Sequence, residues 1–506
     1  MKLSLSMIVK NEETFLPGCL ECVENLVDEI VVVDTGSTDR TREIAERFGA
    51  KVFDFQWQDD FSSARNESLR RTKGDWILYL DADERIDESY HDKIRKLISV
   101  GKADAFLLNL KSKIGTKSNS QYHLVSYPRL FRRMKGIRFT GKVHEQINNS
   151  LLAARARIVQ TDIIIDHLGY AQDDEVIREK AQRNYRLLLA QIEQGENYGY
   201  ALYQLGQTEM VLCENEKGIA HLYEALAAGG FGKPVEASIY GIIAENKFKL
   251  GDIDGALTAC DKSLDAAPLQ SFALILKGEI YLKIGKYRES TDAFLKALEQ
   301  YRSNVLVGNA ATAIEPVFDV DFLYSKIGTV ASLAGELETA RTYLALAAEE
   351  SEKPENAAKY FEFLAKNGMH DQLLEASRKF EAFESEDWYL RLVSSAYIDT
   401  EKFQEAAGLL ARIATHDAVS LSSLANCRMK IGDFEGAEFA FLKAIDLGFD
   451  DPQGLELFGL IQFKLRKFAE SVRTLTRVVE MNEGNARAQK FILAAMAQMR
   501  AQAAAG

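Results

Sequence analysis

The sequence predicts an α/β domain with a mostly parallel, Rossmann-like sheet over residues 1–170. A connecting helix over 171–196 and an all-α solenoid over 197–506 should follow. Three observations carry this expectation. Strand-like and helix-like segments alternate through the first third, a 34-residue period recurs in the rest, and charge divides at the same boundary. Residues 1–170 carry a net +1 and the remainder −14, against a chain total of −13.

Taken in order, Leu3–Val9 is a short apolar run, 12–27 has helical spacing, and 29–33 is a β-branched strand closed by Asp34-Thr35-Gly36-Ser37. A helix over 38–48 stops at Gly49, 51–55 reads as strand, 62–72 as helix and 76–80 as strand. Such alternation puts ligands at the carboxyl ends of the strands.

The 506 residues are 47% hydrophobic and 27% charged with only 7 Pro, a globular composition that excludes disordered and collagen-like classes. Apolar runs such as 30–33 and 163–165 fall far short of the ~20 residues of a membrane span. Residues 1–9 meet Lys10 and Glu12 too soon for a signal peptide, and five Cys do not make a disulfide framework, so a cytoplasmic location is expected. The acidity argues against nucleic acid as a partner, although residues 105–144 hold nine Lys/Arg and no acid, which suits a small phosphate ligand.

The sharpest motif is Trp76-Ile77-Leu78-Tyr79-Leu80-Asp81-Ala82-Asp83-Glu84, an apolar strand running into two carboxylates at i and i+2. Strand alternation would point both to one side, where a divalent ion bound to a diphosphate relieves their repulsion. For an isolated D-x-D, a solvated acidic turn is the better reading. Here it follows Ser6-Met7-Ile8-Val9-Lys10-Asn11-Glu12-Glu13, Glu29-Ile30-Val31-Val32-Val33-Asp34-Thr35-Gly36-Ser37-Thr38-Asp39 and Asp60-Phe61-Ser62-Ser63-Ala64-Arg65-Asn66. In order and spacing these segments resemble family-2 glycosyltransferases of the GT-A, nucleotide-sugar-binding fold.

The resemblance implies a role for each. Val9, Asn11, Glu12 and Asp34 would hold the base and ribose, and Asp39 would contact the base or order its loop. Arg65 would reach the nucleotide, Asp81 the ribose or sugar, and Asp83 a Mn²⁺ or Mg²⁺ bridging the diphosphate. Inverting members use a carboxylate near the acceptor as base. Glu145, the first acid after the basic stretch, is the candidate, where relatives more often carry Asp. The alternative is that Glu145 pairs with an arginine such as Arg138 and orders its loop. His167, after the apolar run 163–165, would complete the metal site or else be a hydrogen-bonded packing residue. Arg129 and Arg132 would grip the diphosphate from a loop or form a solvated face. Cys19 and Cys22 lack the companions of a zinc site, and no P-loop, H-E-x-x-H or G-x-G-x-x-G is present.

Gly251-Asp252-Ile253-Asp254-Gly255-Ala256 recurs 34 residues later as Gly285-Lys286-Tyr287-Arg288-Glu289-Ser290, and Phe434 recurs as Phe468. This period of paired helices with small residues at their crossing resembles tetratricopeptide repeats, irregular only over 298–390. A concave face that binds an acceptor protein or peptide and a surface used only for scaffolding or homodimer formation are equally open. The leading expectation is thus an inverting, metal-dependent hexosyl- or N-acetylhexosaminyltransferase moving a sugar, most simply from a UDP-linked donor, to an acceptor at the repeats, with a protein or peptide side chain such as Ser, Thr or Cys as the favoured class. The alternatives are transfer to a surface glycan or lipid-linked core sugar, and a repeat scaffold with an inactive transferase domain.

Overall fold

A computed structural model describes the chain apart from residues 115–120, 169–173, 196, 308–314, 319, 352 and 506. The expected boundary at 170/171 lies outside the described residues. Two compact units form, Met1–Leu323 and Tyr324–Gly506.

The first unit is built on one sheet. Its strands are β1 (Leu3–Val9), β2 (Glu29–Asp34), β3 (Lys51–Asp54), β4 (Trp76–Tyr79), β5 (Glu84–Ile86), β6 (Ala105–Ile114), β7 (Gln121–Arg132), β8 (Ile158–His167) and β9 (Glu315–Phe318). They lie in the order β3-β2-β1-β4-β7-β6-β8-β5, with β9 beside β7. Helices α1 (Leu16–Glu21), α2 (Thr41–Arg47), α3 (Phe61–Arg71), α4 (His91–Val100) and α5 (Asn148–Ala153) accompany it.

The α/β class is as expected, but the sheet is mixed rather than mostly parallel. β3, β2, β1 and β4 run parallel, whereas β7 is antiparallel to β4 and β6, and β5 is antiparallel to β8. Chain length explains the change. Only six residues separate β6 from β7, too few for the dozen or so of a parallel crossover. The first helix is also shorter than the spacing over 12–27 suggested, because the chain turns after Cys22.

Alternation builds the core. Leu3, Leu5, Met7 and Val9 of β1 join Trp76 and Leu78 of β4, with Leu80 beyond it, on the face covered by α1 and α4. Ile77 and Tyr79 face the other way, against Phe131, Phe139, Ile147 and Leu151. On that side Ser6 and Ser68 of α3 share a buried 2.7 Å hydroxyl contact, so α3 sits close over β1. Asp60 caps α3, accepting from Ser63 N at 3.1 Å.

Helices α6 (Asp174–Glu193), α7 (Tyr198–Val211), α8 (Asn215–Ala228), α9 (Lys233–Lys249), α10 (Ile253–Ala266), α11 (Phe272–Lys283) and α12 (Tyr287–Val307) complete the first unit. α6 falls inside the stretch read as a connecting helix. The helical region is not wholly α, because β9 pairs antiparallel with Gln121–Leu124. It lies within the span where the repeat spacing was irregular.

Several helix crossings share one arrangement, a glycine met by a small residue twelve positions later. Ser290 Oγ donates to Gly278 O at 2.7 Å, and in the second unit Ser471 Oγ donates to Gly459 O at 2.7 Å. A Cβ on Gly459 would meet Leu475 Cγ at 2.6 Å, so the helices pack too closely for alanine. The turn between paired helices needs a left-handed residue, supplied by Gly432 at φ +88° and, 34 positions on, by Arg466 at φ +62°.

Candidate active site

Because β1, β2 and β4 are parallel, their carboxyl ends share one edge, where Val9 lies opposite Asp34 and Ser6 opposite Tyr79. Val9 is buried and its carbonyl accepts from Thr35 N at 3.0 Å, so the polar contacts of this segment come from its neighbours. Asn11, left-handed at φ +54°, accepts from Thr38 N at 2.8 Å, and Glu12 N donates to Thr41 Oγ1 at 2.7 Å. Asp39 accepts from Glu13 N and Thr41 N, which ties the loop after β2 to the end of β1. Asp34 Oδ1 accepts from Gly36 N and Ser37 N at 3.0 and 2.8 Å and shapes the same loop.

Asp81 and Asp83 stand in the turn between β4 and β5 rather than on a strand, so strand alternation does not set their direction. Asp81 Oδ1 accepts from Arg65 Nη2 at 2.7 Å, and Arg129 Nη1 lies 3.8 Å from Oδ2. Burial would raise the Asp81 carboxyl, yet Arg65 and Arg129 outweigh it and hold it down at about 2. Glu84, 1% exposed, accepts from Asp81 N at 2.9 Å and from Arg129 Nη2 at 2.6 Å. Burial, helped by the Asp81 charge and opposed by Arg129, pushes its carboxyl up to about 7. Both guanidiniums lie over the Tyr79 ring, at 5.3 and 4.3 Å. Arg65 Nη1 and Arg129 Nη1 are buried without a hydrogen-bond partner in the protein, and an anionic ligand would satisfy such donors.

Pairing of β5 with β8 sets Glu84 opposite His167 and brings Asp83 to the same place. His167 Nε2 lies 3.3 Å from Asp83 Oδ2, and Ser112 Oγ lies 3.0 Å from Nδ1. Burial opposes protonation of this imidazole, but the Asp83 hydrogen bond and charge, with Glu84 and Asp81 behind, raise its pKa. Across the edge, burial and then Asp83 push the Glu12 carboxyl up to about 7, with Asp81 and Asp39 adding to it and Lys180 of α6 opposing. A crowd of carboxylates that strains one of its own members toward neutrality favours a cation. Among the described residues no cluster of three or more potential ligands is preassembled. Asp83 and His167 make a two-donor set, one oxygen and one nitrogen with Nδ1 anchored by Ser112. These two donors would suit a divalent ion, which would have to take its other ligands from outside the protein.

Glu145 pairs with Arg65 Nε, and its side chain is 11% exposed. The arginine named as its alternative partner, Arg138, is not the one. Arg65 therefore bridges Glu145 and Asp81. Arg129 and Arg132 sit on β7, so neither belongs to a loop. Arg132 departs furthest from expectation. It pairs in register with Trp76, stacks on that ring at 5.2 Å and lies 3.7 Å from Asp104, at the far end of β4 from Asp81. Three strand positions from Arg129, it faces the opposite side of the sheet. Sequence pattern assigns no role to Glu84 or Ser112 and reads Tyr79 as a packing residue. Glu84 alone carried a signal, as a third acid directly after the D-x-D.

Residues 4–168 match the family model Glycosyl transferase family 2, and residues 273–304 match Tetratricopeptide repeat. Similar proteins include a TPR repeat-containing protein of Synechococcus elongatus, 33% identical over 51% of this chain and 64% of that protein. The SPbeta prophage-derived glycosyltransferase SunS of Bacillus subtilis is 27% identical over 44% of this chain and 53% of its own length. The chain thus spans between half and two thirds of these relatives. Among solved structures, S. aureus TarS 1–349 in complex with UDP-GlcNAc aligns over 60% of this chain and 92% of that one at 17% identity, with a TM-score of 0.30. No helix among the described residues is long and apolar enough to cross a membrane. The N-terminal part of this chain is a family-2 glycosyltransferase domain, and tetratricopeptide repeats follow it.

Proposed function

We propose that the protein is an inverting, metal-dependent glycosyltransferase that takes a sugar from a nucleoside diphosphate, most simply UDP, and delivers it to a protein or peptide side chain. The observation that carries this reading is the meeting of Asp83 and His167, 3.3 Å apart, beside the crowded carboxylates of Glu12 and Asp81. Asp83 and His167 would hold Mn²⁺ or Mg²⁺, which supplies positive charge where the leaving diphosphate develops its negative charge. The knitted segments 11–13 and 34–41 would hold the base and ribose, with Asp34 shaping the loop and Asp39 locking it. Asp81, kept ionised by Arg65 and Arg129, would hold a ribose or sugar hydroxyl. Arg65 and Arg129 would turn their unpartnered nitrogens to the donor. Arg132, at the far end of β4, is left out of this assignment.

Glu145 would remove the acceptor's proton. Its pairing with Arg65 would fix the direction in which the carboxylate faces the acceptor. The repeats, which hold the chain's negative charge, would present a basic or neutral acceptor.

Calorimetry checks the donor side. UDP is expected to bind with Mn²⁺ present and at least tenfold more weakly without it. Equal affinity in EDTA would contradict the metal assignment. Mass spectrometry of peptides incubated with isotopically labelled donor checks the acceptor side. Label found on glycan or lipid alone would favour a surface-glycan or lipid-linked acceptor.

A further inference from the structure

We infer that α6 is a working part of the transferase, and that its Gln191 is a positioning residue for the segment bearing Glu145. The inference rests on the transferase reading above. Residues 141–145 form a short loop closed at its base by Thr140 and Gln146, whose backbones exchange hydrogen bonds of 3.0 and 2.9 Å. Inside the loop Gly141 takes φ +99° and His144 φ +52°. A non-glycine residue in the left-handed region is strained and persists only where its surroundings hold it.

Two helices do the holding. From α3, Phe61 N donates to Lys142 O at 2.8 Å and Ser62 Oγ donates to Gly141 O at 2.6 Å. From α6, Gln191 Oε1 accepts from Lys142 N at 2.8 Å. Lys142 is therefore gripped by its carbonyl on one side and by its amide on the other.

The α6 contact is built as a buried joint. Gln191 is 1% exposed, and Val143 packs with Leu187 and Leu188 of α6, Leu205 of α7 and Phe61. The Arg183 guanidinium lies 5.2 Å over the Phe61 ring. Two residues beyond Val143, Glu145 meets Arg65. A helix that sequence alone reads as a connector thus sets the loop whose last residue faces Arg65. Without its acceptor the Lys142 amide has no partner, and a loop that relies on outside support relaxes.

The test compares full-length wild type with Gln191→Leu and Gln191→Glu. Leucine keeps the bulk and removes the acceptor, whereas glutamate keeps an acceptor oxygen for Lys142 N. In Gln191→Leu, hydrogen–deuterium exchange should speed up at residues 141–145 while the sheet stays protected. With the donor assay working, kcat should fall on the order of 10- to 100-fold at an unchanged donor Kd. Gln191→Glu should restore the protection and most of kcat.

Unchanged exchange in Gln191→Leu overturns the inference, as does equal loss of kcat in both variants. If Gln191→Leu does not fold, Gln191→Glu decides. Wild-type protection and turnover support the inference, and exposure of 141–145 in a folded Gln191→Glu contradicts it. The exchange measurement does not need turnover, so an inactive wild type would sink the transferase reading and leave the α6 joint to be judged on its own.

Discussion

Asp83→Ala is expected to lower sugar transfer on the order of 100-fold or more and to leave the fold intact, because the group it removes would, on the proposed function, support the metal and not the core. The Asp83 side chain meets His167 Nε2 at 3.3 Å, while the contact that joins this turn to the end of β8, Leu168 N to Asp83 O at 2.9 Å, is made by backbone and survives. The variant also removes the strongest neighbouring charge on the Glu12 carboxyl, so its crowding eases as the metal site is lost. Nucleoside diphosphate release at saturating Mn²⁺, with a thermal melt on the same sample, separates the two effects. An unchanged melt with lost turnover is expected. Full turnover would remove Asp83 from the metal site.

Arg129→Met acts on stability instead. Arg129 is 5% exposed and Glu84 1%, so losing the guanidinium strands a carboxylate in the interior. Breaking one side of a buried pair costs about 3–5 kcal/mol, or roughly 10 °C in the melting of a domain of this size. The pH dependence has a definite sign. Glu84 already titrates near 7 against an ordinary 4.5, so its folded state binds protons more readily than its unfolded state. Its ionisation therefore erodes stability as pH rises above the ordinary value. Without Arg129 the carboxyl rises further, so the loss should be small at pH 4.5 and largest at pH 8. The double variant Arg129→Met with Glu84→Gln should regain most of the loss and flatten the pH profile. Equal melting of Arg129→Met and wild type at pH 8 would show that this pair does not stabilise the contact between β5 and β7.

Much of the fold is legible because its signals are local. The β-branched run ending in Asp34, the Asp60 cap and the 34-residue spacing of the repeats each depend on residues close in sequence. The antiparallel half of the sheet is not legible in this way. β4 pairs with β7, and β6 with β8, across some fifty residues, and their apolar content does not reveal direction. The same limit governs the site. Asp81, Asp83 and His167 stand out by residue type, but the joining of Asp83 to His167 depends on the β5–β8 register. Arg129 and Arg132 look alike as neighbouring basic residues. Strand periodicity separates them, turning one into the site and the other onto Trp76. Gln191 carried no signal, since its role comes from packing α6 against a loop some fifty residues earlier.

The proposed metal-dependent cleavage of a nucleotide sugar at Asp83 and His167 has a direct readout. The most direct measurement is ³¹P NMR of the full-length protein with a panel of UDP- and GDP-sugars, with Mn²⁺ or with EDTA, beside Asp83→Ala. Nucleoside diphosphate should appear from at least one donor with Mn²⁺ and be absent both with EDTA and in the variant. Release that persists unchanged in EDTA and in Asp83→Ala would contradict the account.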